Sequence, residues 1–155
     1  MYRKKMGTFM NNVKRIKISI FERVTTAGYC TDTFDFEEGR IKYEEKPEVQ
    51  NYYDDPIRWS RSTKKLDWYE AKYNELKTFV SVYKPVDIDI SSESRIFSIT
   101  IKDNDNKVIK RFDLECLSKD GQKLYDLLYS MISQIELADM MNFFFAASTK
   151  CGEFM

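Results

Sequence analysis

Histidine is absent from this chain. Its absence removes Ser-His-Asp and Cys-His catalysis, the imidazole proton shuttle and imidazole metal ligands together. Glycine is scarce, at 5 scattered residues, so there is no Gly-rich phosphate loop and no dinucleotide fingerprint. The 3 cysteines, Cys30, Cys116 and Cys151, stand alone. They supply neither an even disulfide framework nor CxxC metal spacing, and they suit a reducing cytoplasm. No apolar run approaches the roughly 20 residues of a membrane span. The basic opening, MYRKKMGTFMNNVKR, lacks the apolar stretch of a secretory signal. Net charge is also missing: 25 basic residues balance 25 acidic ones. A whole-molecule attraction to nucleic acid or anionic lipid is therefore not implied.

What is present is enough for one hydrophobic core: 155 residues, 43% of them hydrophobic. Residues 1–12 read as a flexible basic arm and 13–155 as a single α+β domain. Ile16, Ile18 and Ile20 alternate with Arg15, Lys17 and Ser19, the pattern of a half-buried strand. YCTDTFDF at 29–36 continues the alternation, with Asp32 an awkward member of the inner face. EEGR closes a hairpin into IKYEE, and Gly39 is available for a positive φ. A loop is expected at 47–60, then a helix with Ser62 as N-cap and Leu66, Tyr69, Tyr73, Leu76, Val80 and Tyr83 on one stripe. Pro85 stops it. VDIDI at 86–90 reads as a short edge strand. RIFSITIKDNDNKVIKRFDLEC then forms a long hairpin with DNDNK as its turn. A second helix is expected from about 119 to 145, with Leu124, Leu127, Leu128, Met131, Ile135, Ala138 and Met141 inward. The order strands-helix-strands-helix predicts an antiparallel sheet of about five strands with two helices packed on one face.

The candidate sites follow from charge and aromatics. Residues 21–57 carry 10 acids and 4 bases, a net of −6, whereas residues 1–20 carry 6 bases and no acid. Such segregation suits a protein partner with a basic surface. The partner-binding candidates are Tyr52, Tyr53 and Trp59 as aromatic anchors, with Glu44, Glu45, Glu48, Asp54 and Asp55 as steering carboxylates. Arg58, Arg61, Lys64 and Lys65, beside Trp59 and Trp68, are the candidates for single-stranded nucleic acid. Phe143, Phe144 and Phe145 cannot all face one core, because consecutive helical side chains point about 100° apart. They are the candidates for a homodimer contact. The Asp103 and Asp105 spacing resembles the start of a calcium loop, but the glycine and distant glutamate that complete one are missing. No metal or cofactor is expected. The leading expectation is a small cytoplasmic protein-binding module, an inhibitor, adaptor or immunity-type protein that acts stoichiometrically by covering a surface. The alternatives are a single-stranded nucleic-acid binder and a divalent-metal enzyme built on the clustered carboxylates.

Overall fold

Ile16, Ile18 and Ile20 are fully buried, while the intervening Arg15, Lys17 and Ser19 keep partial exposure. This alternation, repeated across strands, gives the sheet one apolar and one polar face. The computed structural model describes residues 11–25, 28–47, 58–86, 96–116 and 118–133. For 21–25, 28–30 and 47 it describes the backbone only. The strands are β1 (Arg15–Thr25), β2 (Gly28–Glu37), β3 (Arg40–Pro47), β4 (Arg58–Ser62), β5 (Ile96–Lys102) and β6 (Val108–Glu115). The helices are α1 (Tyr69–Val82) and α2 (Lys119–Ile132). The 6-stranded sheet has the order β4-β3-β2-β1-β5-β6, and every neighbouring pair is antiparallel. Both helices pack on one face, so the α+β architecture is as the patterning predicts.

β1 to β4 form a meander. By the antiparallel pairings, β4 and β5 run the same way on opposite sides of β1, so the chain must return across the sheet. α1 makes that crossing with an aromatic face: Tyr69, Tyr73, Leu76 and Val80 are buried. Tyr69 donates to the Glu37 carbonyl at 2.7 Å and Tyr73 to the Lys14 carbonyl at 3.3 Å. Their rings stack at 5.6 Å. Large rings let one helix cover several strands while each hydroxyl reaches a backbone acceptor. Burial raises both phenol pKa values well above the ordinary 10.0.

α2 buries Leu124, Leu128 and Met131, three of its expected stripe. Ser118 caps its N-terminus by accepting from the Gly121 amide at 2.9 Å. Ile135, Ala138 and Met141 lie outside the described residues, as do 87–90 of the expected edge strand.

Two turns follow the expected chemistry. The β2–β3 turn places Gly39 at φ 79°. At the β5–β6 turn, one Asp103 carboxylate oxygen accepts from the Asp105 and Lys107 amides, both at 2.9 Å, and Asn106 adopts φ 63°. The Asp103 carboxylate thus holds the turn closed.

The segment 58–62 differs from expectation. It is not a loop leading into a helix at Ser62 but a sixth strand. Trp59 pairs opposite Tyr43, and Ser62 lies opposite Arg40. The reason is one anchoring ring: Trp59 sits 5.7 Å from Tyr43 and packs on the core margin. A bridging turn follows, fixed by the Thr63 amide donating to the Gly39 carbonyl at 3.0 Å. The helix begins only at Tyr69, without a side-chain cap.

Candidate functional site

The face of the sheet opposite the helices is polar and uncovered among the described residues. The strand register orders its side chains into rows. One row reads Ser62, Arg40, Glu37, Arg15, Lys102 and the next Ser60, Lys42, Asp35, Lys17, Thr100, Arg111. A third reads Arg58, Glu44, Thr33, Ser19, Ser98, Asp113. Opposite charges alternate across β1, β2 and β3, the arrangement that stabilises cross-strand pairs.

Several of these charges are fixed. Arg15 approaches Asp35 at 3.3 Å and Glu37 at 2.9 Å, and Lys42 approaches Glu37 at 3.4 Å. Burial is the largest influence on Asp35 and raises its pKa; Arg15 opposes this and repulsion from Glu37 adds to it. Burial also acts to raise Glu37, but Arg15 and Lys42 together outweigh it and leave the carboxyl below its ordinary value. Ser19 and Thr33 share a hydrogen bond at 3.0 Å. The centre of the face is therefore a pre-set polar lattice on a rigid sheet.

A depression of about 400 Å³ opens on the β1–β4 part of this face. It is lined by Lys17, Thr33, Asp35, Lys42, Glu44, Arg58 and Ser60, with Tyr43 and Trp59 bordering it. It brings together Glu44, Arg58 and Trp59, which the sequence assigns to two different candidate surfaces. The other assignments separate. Glu44 pairs opposite Thr33 and Glu45 opposite Asp32, so the two glutamates point to opposite faces of β3. Arg58 pairs opposite Glu44 and Arg61 opposite Ile41, which splits the basic cluster in the same way. Lys64 and Lys65 are exposed in the turn after β4 and do not open a helix. Trp59 is half-buried, with the Arg61 guanidinium 5.8 Å from its ring centre. Glu48, Tyr52, Tyr53, Asp54, Asp55, Phe143, Phe144 and Phe145 lie outside the described residues.

Sequence reasoning finds Asp32 but not its partner. Asp32 is fully buried on the helix side and accepts from the Tyr43 hydroxyl at 2.5 Å. It also misses Lys110, which points into the helix layer. The Lys110 ammonium donates to the Val80 carbonyl at 2.8 Å and the Tyr83 carbonyl at 2.7 Å. It thereby closes the C-terminus of α1, whose last turn carries no basic residue of its own. Only the 110–80 juxtaposition reveals this, and no local motif signals it.

Among the described residues no group of three or more Cys, Asp or Glu side chains is placed to hold a metal ion. Among them, too, no helix is long and apolar enough to cross a membrane. Cys116 is buried and is not part of a disulfide. No protein-family model matches the chain, and no curated protein matches it.

Proposed function

We propose that this protein is a binding module that captures a protein partner on the β2–β3–β4 part of its open sheet face. The observation that carries this reading is the depression in which Asp35, Lys42, Glu44 and Arg58 converge. Charges held on a sheet lose little entropy on binding and impose register on the partner. The partner presents a basic surface toward Glu44; in sequence the 48–57 stretch between β3 and β4 adds Glu48, Asp54 and Asp55 and no base. The effect is stoichiometric, as for an inhibitor, adaptor or immunity-type protein. Single-stranded nucleic acid has less support, because Arg58 and Arg61 diverge and Arg61 occupies one face of Trp59.

A photo-crosslinker at Ser60, used in the native cell, tests this. The expected result is one protein adduct that is lost in Glu44→Lys, while a crosslinker at Thr78 on the helix layer captures none. Adducts to RNA or DNA alone, or a Ser60 adduct indifferent to Glu44→Lys, would overturn it.

A further inference from the structure

A second depression, of about 270 Å³, lies on the other part of the open face. Lys17 and Ser19 from β1, Ser98, Thr100 and Lys102 from β5, and Arg111 from β6 line it. Lys17 pairs opposite Thr100, and Thr100 opposite Arg111. Two cations therefore flank one hydroxyl across two strand spacings, about 10 Å. Lys102 stands two residues along β5 on the same face. All six side chains are hydrogen-bond donors, and no carboxylate lines the depression.

The nearest acids are engaged or displaced. Asp35 is opposite Lys17 on β2 and is held by Arg15 at 3.3 Å. Asp113 is one row away, opposite Ser98. Among the described residues, Lys17, Lys102 and Arg111 make no ion pair within 4 Å, and only Lys17 is attracted by a facing carboxylate, that of Asp35, which Arg15 already approaches. Three converging like charges repel one another, and an anion between them removes that repulsion.

We propose that this depression binds a phosphate group, either free or carried by a small organic monoester. A phosphate monoester offers close to two negative charges and three strong acceptor oxygens. That matches three cations and central hydroxyls, and the Arg111 fork suits two of the oxygens. A single carboxylate would leave the remaining cations uncompensated. The site is separate from the proposed protein-binding surface; only Lys17 borders both depressions.

The test is an NMR titration of the full chain with inorganic phosphate and with glycerol phosphate, at constant ionic strength and with glycerol as control. Saturable shifts at the Ser98, Thr100 and Arg111 amides are expected with both phosphates and none with glycerol. Tighter binding of the ester assigns an organic monoester; equal binding assigns the free anion. Lys102→Gln and Arg111→Gln each weaken binding about tenfold, with unfolding midpoints close to wild type, while Lys123→Gln on the helix layer leaves it unchanged. Absence of saturation, or unaltered binding in Arg111→Gln, would overturn the proposal. So would an oligonucleotide whose affinity grows with length and exceeds that of either phosphate, since that describes a polyanion track rather than a pocket.

Discussion

Gly121 shows how one residue decides a helix placement. A Cβ added there would lie 1.9 Å from the Glu115 carbonyl oxygen and 2.8 Å from that of Cys116. The first turn of α2 is pressed against the end of β6, and backbone has no room to yield. Gly121→Ala is expected to destabilise the fold by about 2 kcal/mol or more, although alanine is the better helix former; urea unfolding measures this. Lys110 is the second such residue. It reaches from β6 to the carbonyls that end α1, and burial lowers its pKa below the ordinary 10.5. Lys110→Met keeps the stem against Phe112 but removes the donor. The expected loss is about 1–2 kcal/mol by the same measurement, with faster amide exchange at the C-terminus of α1.

At the scale of elements, the cross-strand ion pairs of β1, β2 and β3 give the sheet an acid-sensitive seam. The Glu37 carboxyl is held below its ordinary 4.5 by Arg15 and Lys42, against the opposing effect of burial. Folded Glu37 therefore binds its proton more weakly than the unfolded chain does. Its contribution is fully present above about pH 4.5 and is lost as pH falls through the lower folded value. Asp35 has the opposite sign, because its raised pKa makes the charged form less favourable in the fold as pH rises through that value. Glu37→Gln is expected to lose about 0.5–1 kcal/mol at pH 7. The gap to wild type closes in acid, where both chains carry a neutral group at this position. Parallel denaturant titrations across pH check this, and a gap that widens in acid would contradict the assignment. The same seam shows what an element-level sequence reading reaches. Alternation in 15–20, 29–37 and 40–45 places Arg15, Asp35, Glu37 and Lys42 on the polar face, but pairing them needs the register.

For the whole molecule, the two sheet faces differ: one holds the core under α1 and α2, and the other, polar and uncovered among the described residues, carries both proposed sites. The protein-binding and nucleic-acid readings predict different responses to charge. If a basic protein docks by Glu44, Glu44→Lys slows association, most strongly at low salt, and Arg61→Ala with Lys64→Ala and Lys65→Ala leaves binding nearly unchanged. If phosphates of a single strand are neutralised after β4, the triple substitution instead flattens the dependence of log affinity on log salt, by about 0.7 for each phosphate that is no longer neutralised. Titrations with the captured partner and with an oligonucleotide at two salt concentrations separate the cases.

The amino-acid sequence by itself determined the elements whose information is local. Period-two isoleucines and phenylalanines set β1, β2 and β5, Gly39 and DNDNK set two turns, and the leucine stripe set the inner face of α2. These signals suffice because burial and turn chemistry act over a few residues. Tertiary structure decided what depends on a distant partner. Arg58–Ser62 carries one large apolar ring in five residues, too little for a strand pattern, and becomes β4 because Tyr43 is there to receive Trp59. Lys110 becomes a helix cap only when α1 ends above it. Lys17, Lys102 and Arg111 are scattered across the chain, and they form one donor-lined depression because antiparallel register sets β5 between β1 and β6. Register is a property of pairs of strands, so it assembles surfaces that no single segment encodes.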